Sequence, residues 1–139
     1  MNASNKRTVL LQLDADPQPS VFDAVVAVDA GVDVLLRHGN VRPESVRDLV
    51  YGAIFTRGVE DLHRTAIFVG GSDMAAAEAI VEAVRQTFLG PMRVSVMIDA
   101  NGANTTAAAA VLAARSYVSL ERTTALVLAS TGPVGQRVV

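Results

Sequence analysis

Ala125-Leu-Val-Leu-Ala129 runs directly into Ser130-Thr-Gly-Pro-Val-Gly135, with only Gln136-Arg-Val-Val139 after it. A short apolar strand entering a glycine-spaced turn is how a dinucleotide-binding βαβ (Rossmann) unit begins. The amides of such a turn and the N-terminus of the next helix hold a pyrophosphate. Here the helix has barely started, and the acidic ribose partner that usually follows about twenty residues later has no place in the sequence. We therefore expect residues 1–122 to form an N-terminal α/β domain and residues 123–139 to be the truncated start of a dinucleotide-binding domain.

The same alternation of strand and helix signals extends upstream. Thr8 to Leu13, Val32 to Leu36, Thr65 to Val69 and Arg93 to Ile98 are apolar runs of strand length. Between them lie helix signals. Ser20 is a suitable N-cap for Val21–Ala30, with Asp23 at the capping-box position and Gly31 as the stop. Pro43 opens a helix to about Phe55. Ser72 caps a helix from Asp73 to about Phe88, ended by Gly90-Pro91, and Asn104 caps one reaching about Tyr117. Continuous apolar strands separated by helices predict an α/β fold in three layers, a mostly parallel sheet with helices on both faces.

Composition narrows the function classes. Half of the 139 residues are hydrophobic and 19% are charged, which suits a packed core. A net charge of -2 and scattered arginines give no basis for nucleic-acid binding. The absence of cysteine excludes disulfides, thiolate metal sites and a cysteine nucleophile. Met1 to Thr8 leads into too short an apolar run for a secretory leader, and no apolar stretch approaches the roughly 20 residues of a membrane span. His38 and His63 stand apart, with no carboxylate or serine spaced to suggest a triad or a metal site.

In a parallel sheet, ligands gather at the carboxyl ends of the strands. That rule selects Asp14–Ser20, Arg37–Arg42, Gly70–Asp73 and Asp99–Thr106, with Ser130–Gln136 as a fifth loop. Asp99-Ala-Asn-Gly-Ala-Asn-Thr-Thr106 is the densest in hydrogen-bonding groups. Turn and cap roles account for Asn101, Gly102 and Asn104, and leave Asp99 and Thr106 unassigned. Gly70-Gly71 reads first as an ordinary tight turn. Phe22 reads first as core and Asp23 as a capping acid, although a flat heteroaromatic ligand would use both. Arg57 suits a helix C-terminus, and Ala107–Ala110 suits close packing against a neighbouring element. Ser130 replaces the first glycine of the dinucleotide fingerprint.

Several blocks together resemble one family. They are Asp14 with Pro19-Ser-Val-Phe-Asp23, Phe55-Thr-Arg-Gly58, Thr65-Ala-Ile-Phe-Val-Gly-Gly71, Asp73-Met-Ala-Ala76, Gly90-Pro91, Asp99 with Asn101-Gly and Asn104-Thr-Thr-Ala-Ala-Ala109, and Thr131-Gly-Pro-Val-Gly135. The chain is similar, from about Thr8 to Arg137, to the bacterial NAD(P)-dependent methylene-tetrahydromethanopterin dehydrogenases, which include enzymes acting on methylene-tetrahydrofolate. The resemblance implies a cytoplasmic oxidoreductase of one-carbon (formaldehyde) metabolism that uses NADP or NAD and assembles as a homo-oligomer, with a trimer the expected form. It implies a tetrahydromethanopterin or tetrahydrofolate partner, no metal, no nucleic acid and no membrane.

By the same resemblance Phe22 contacts the pterin and Thr106 lines the substrate site. Asp23, Asp99, Asn101 and Asn104 shape the pocket, and Thr131, Gly132, Pro133, Val134 and Gly135 match the phosphate loop. The family's catalytic lysine and histidine have no counterpart here, so no catalytic residue is assigned. The chain is expected to be inactive without a cofactor domain. The alternatives are a non-catalytic pterin- or folate-binding module and an oligomeric structural remnant.

Overall fold

The computed structural model describes residues 6–139. The first five positions, and with them the start of the expected N-terminal domain and of the leader reading, lie outside the described residues. The elements are β1 (Val9–Asp14), α1 (Val21–Asp29), β2 (Val34–His38), α2 (Val46–Phe55), β3 (Thr65–Gly70), α3 (Met74–Thr87), β4 (Ser95–Ile98), α4 (Ala103–Arg115) and a short α5 (Gly135–Val138). The four strands form a parallel sheet in the order β2-β1-β3-β4. This is the α/β architecture expected from the alternation.

Alternation along the strands sends side chains to two faces. Leu11 and Leu13 of β1 and Ile67 and Val69 of β3 join Val50 and Ile54 of α2 and Ile80 and Val84 of α3 in one buried cluster. On the other face, the register aligns Gln12 with Arg37 and Phe68, and Phe68 with Met97. There α1 lies over β1 and β2, and Met97 at the far edge stays half exposed. The core therefore sits on the α2–α3 side, and the α1 side is an open face.

Three local expectations are corrected. Ala125–Ala129 is not a strand: no sheet pairing involves it among the described residues, and Leu126 and Leu128 are exposed. Strand propensity expresses itself only when a neighbour supplies the ladder of hydrogen bonds and a face to bury. The cap of α3 is Asp73, whose carboxylate accepts from Ala75 and Ala76 N–H at 2.8 and 3.1 Å. The N-cap position of α4 is Gly102, not Asn104, and its first-turn amides are served from upstream by Asp99, whose Oδ1 accepts from the N–H groups of Asn104 and Thr105 at 2.8 and 3.1 Å. A carboxylate offers two acceptors and a full charge to a helix N-terminus, which Ser72 and Asn104 lack.

The two packing roles read for Arg57 and the alanine run also change. Arg57 donates to the carbonyls of Arg64 and Arg7, tying neighbouring segments together instead of serving the end of α2. Of Ala107–Ala110 only Ala107 is buried, because α4 meets the body at its first turns and then projects from it.

Candidate ligand site at the carboxyl edge

The β1–α1, β3–α3 and β4–α4 loops are hydrogen-bonded to one another. Asp16 accepts from both the N–H and the hydroxyl of Ser72, each at 2.9 Å, joining the first two. Asn101 N–H donates to the Gly71 carbonyl at 2.8 Å, joining the third. Asn101 takes φ 54° and Gly102 φ 64°, left-handed geometry that the Asn-Gly pair tolerates at modest cost. Between the loops opens a cavity of about 560 Å³ lined by Phe22, Asp23, Asp99, Asn101 and Thr106, together with Asp16, Gln18, Ser20, Gly71, Ser72, Gly102 and Thr105.

Five of the six residues expected at a substrate site thus share one cavity. Asn104 does not line it. Its Nδ2 donates to the Ile98 carbonyl at 2.6 Å and its Oδ1 accepts from Arg137 at 2.8 Å, on the α3 side of α4. The reason is helical geometry: residues 104 and 106 point some 200° apart around an α-helix axis, at roughly 100° per residue.

Phe22 is 78% exposed at the rim, so the reading as core is corrected. It occupies the first turn of α1, a helix with no buried residue, and lines the cavity. The capping box is also incomplete. Ser20 Oγ accepts from Asp23 N–H at 3.2 Å, but Ser20 N–H is taken by Asp14 Oδ2 at 3.3 Å. The Asp23 carboxyl does not reach back to the Ser20 N–H and lines the cavity instead. It stands close to Asp14: a Cβ on Gly70 would lie 3.1 Å from Asp23 Oδ2 and 3.6 Å from Asp14 Oδ2. Gly70 and Gly71 are thus more than a tight turn, because a side chain there would strike these acids.

Burial raises the Asp23 carboxyl above its ordinary 3.8; the Ser20 hydrogen bond lowers it, Asp14 and Asp99 push it further up, and Arg37 pulls it down. Its neighbours are engaged as acceptors. Asp14 takes N–H groups of Asp16 and Ser20, and Asp99 takes two amides and the Thr105 hydroxyl at 2.6 Å. The wall residues Gln18 and Thr105 were not named as site residues beforehand, and Ser72 was read only as a helix cap in a glycine turn. Their membership of the selected loops Asp14–Ser20, Gly70–Asp73 and Asp99–Thr106 is the signal that could have found them.

The glycine turn at Thr131–Gly135 behaves differently. Gly132 N–H donates to the Ala129 carbonyl and Gln136 N–H to the Gly132 carbonyl, so two amides of the turn are spent internally. Gly135 is required by close approach, since a Cβ there would lie 2.5 Å from the Ala129 carbonyl. In this conformation those two N–H groups are therefore turned to the segment's own carbonyls. Among the described residues no three His, Asp or Glu side chains are arranged to hold a metal ion. No helix there is long and apolar enough to cross a membrane.

Taken together, the fold and the cavity define an α/β domain that carries a partly polar cavity at the carboxyl edge of a parallel sheet. The chain belongs to the methylene-tetrahydromethanopterin dehydrogenase family: the family model for the N-terminal domain matches residues 21–101. It is 54% identical over 105 residues to the bifunctional protein MdtA of Methylorubrum extorquens, an alignment covering 76% of this chain and 36% of that protein. It is 34% identical over 105 residues to the NAD(P)-dependent methylenetetrahydromethanopterin dehydrogenase of the same organism, covering 76% of this chain and 35% of the relative. The chain thus spans somewhat more than a third of the length of these curated relatives.

Proposed function

We propose that this chain is the substrate-binding part of a methylene-tetrahydromethanopterin or methylene-tetrahydrofolate dehydrogenase. In that role it holds the one-carbon carrier while its methylene group is oxidised to the methenyl level by hydride transfer to NAD(P). The observation that carries the reading is the single cavity combining an exposed aromatic ring, Phe22, with the Asp23 carboxyl and the hydroxyl-bearing Thr106.

Hydride departure from a carbon bridging two nitrogens leaves a delocalised cation. No proton is abstracted, so the site needs no general base. It needs instead to hold the carbon in place and to favour growing positive charge. Asp23, next to Asp14 and Asp99, creates a negative region into which such a charge is drawn. Phe22 offers a stacking face for the pterin, and Thr106, with Asn101 beside it, offers hydrogen bonds to its edge. NAD(P), when bound, supplies the hydride acceptor. Thr131 to Gly135, in the unit beginning at residue 123, are read as the residues that meet its phosphates, in concert with further protein.

We place this work in the cytoplasm, within one-carbon metabolism. Val21, Val25 and Val28 form an exposed apolar stripe along α1, which supports a homo-oligomer. Isothermal titration of the chain with tetrahydrofolate and tetrahydromethanopterin tests the central reading. Binding heat that Phe22→Ala weakens by about tenfold or more is expected for the loss of a stacking ring. Absence of heat with both carriers at millimolar concentration defeats it.

A further inference from the structure

A second cavity, of about 320 Å³, runs along the open face of the sheet beneath α1. Val26, Ala27 and Ala30 form its helix wall, and Leu10, Phe68 and Met97 its sheet wall. At its upper end it is lined by Phe22, Asp23, Asp99 and Thr105, all four of which also line the larger cavity. The two chambers therefore meet around these residues, with contrasting chemistry. Hydroxyls, amides and carboxyls surround the upper one, whereas aliphatic, thioether and aromatic groups surround the lower.

We propose that this groove is the subsite for the arylamine arm of the one-carbon carrier, the benzenoid ring attached to the second nitrogen of the methylene bridge. The inference rests on the reading that the chain binds a reduced pterin. A methylene that joins a pterin nitrogen to an arylamine nitrogen places a polar bicycle and an apolar ring on either side of the reacting carbon. A ligand of that shape needs adjoining polar and apolar chambers, with the reacting carbon at their junction. Here the junction is the Phe22 and Asp23 wall. Phe68 and Met97 suit a flat ring, through edge or offset aromatic contact and sulfur–aromatic contact. A cavity of about 150 Å³ is enough for benzene, so the groove is large enough for the ring and part of its substituent. Val26 and Met97 are each 50% exposed, leaving apolar surface that a ring would remove from water.

The test compares two ligands on the chain as it stands: tetrahydropteroate, which carries the aryl arm, and 6-methyltetrahydropterin, which does not. The native chain is expected to bind tetrahydropteroate at least about tenfold more tightly. Ala27→Leu, which fills the groove from the helix side, is expected to abolish that preference. The same variant should bind 6-methyltetrahydropterin within about twofold of native, which also reports that it is folded. In methyl NMR, the Met97 methyl should shift with tetrahydropteroate and stay in place with 6-methyltetrahydropterin.

Equal affinities in the native chain, or a preference that survives Ala27→Leu with an unmoved Met97 methyl, overturn the subsite while leaving the pterin reading intact. Failure of both ligands to bind removes the pterin reading, and the subsite with it. Self-association abolished by Ala27→Leu, with the preference for the arm unchanged, assigns the groove to a second copy of the chain instead.

Discussion

Arg37 on the edge strand β2 donates from Nε to Oε1 of Gln12 on β1 at 3.1 Å, and this cross-strand pair anchors the start of α1. Gln12, only 1% exposed, passes the connection on by donating from Nε2 to the Ser20 carbonyl at 3.2 Å. Arg37 reaches the Pro19 carbonyl directly at 2.5 Å. Two strands thus grip the two residues immediately before α1, and so set where Phe22 and Asp23 stand.

Gln12→Leu keeps the size of the side chain and removes both hydrogen bonds. The Ser20 carbonyl, half-buried, then keeps only the Ala24 N–H as donor, and the Arg37 Nε loses its acceptor, at a cost of about 1 kcal/mol. Urea denaturation is expected to show that loss, together with weaker carrier binding. Unchanged stability would mean that water replaces the amide without penalty.

Asp23 makes stability depend on pH in a defined direction. Its carboxyl is raised above 3.8 in the folded chain, chiefly by burial, with Asp14 and Asp99 adding to the rise against Ser20 and Arg37. Between 3.8 and the raised value the folded state binds more proton than the unfolded one. Stability therefore falls as pH rises through that window, and the penalty is complete above it. Asp23→Asn is expected to remove this slope and to raise the melting temperature at neutral pH. Thermal melts across the acidic range check both, and a carrier that draws on the ionised carboxyl should bind the variant more weakly.

Asp99→Ala leaves two first-turn amides of α4 without their acceptor. A loss of about 1–2 kcal/mol is expected, visible as a lower unfolding midpoint, with Asp99→Asn costing distinctly less because it retains one acceptor oxygen. Equal losses for the two variants would indicate that charge, not hydrogen bonding, is what the helix end requires.

Gly71 and Gly31 separate backbone strain from crowding. Both have positive φ, 109° and 90°, but a Cβ at Gly71 would lie 3.0 Å from Asp14 Oδ1, whereas one at Gly31 would meet open space. Gly31→Ala is expected to cost about 1 kcal/mol, and Gly71→Ala about 1–3 kcal/mol with a loss of carrier affinity as Asp14 shifts. Matching costs in chemical denaturation would show that Asp14 yields without consequence.

Much of the fold was readable from Thr8 onward because the strands are mostly apolar runs and helices such as α1 and α3 are bounded by a capping residue and a glycine. The site was readable in part. The loops were selected by their place after strands, but Phe22 looked like core because local sequence carries no record of what lies beneath a ring. Asn104 looked equivalent to Thr106 because a loop reading ignores which way a helix turns its side chains. Turn and cap roles left Asp99 unassigned, and its carboxylate proved to be the acceptor for two first-turn amides of α4.

Hydrophobic pattern, turn chemistry and cap residues are local properties, and they sufficed to specify a parallel α/β sheet, its element order and the edge where a ligand would enter. Contact between loops is not local. The order β2-β1-β3-β4 brings Asp16 to Ser72 and Asn101 to Gly71, and it lets Asp23 stand beside Asp14 across the Gly70 backbone. The same requirement for partners left Ala125–Ala129 unpaired despite its strand-like composition, because a strand forms only where another backbone completes its hydrogen bonds.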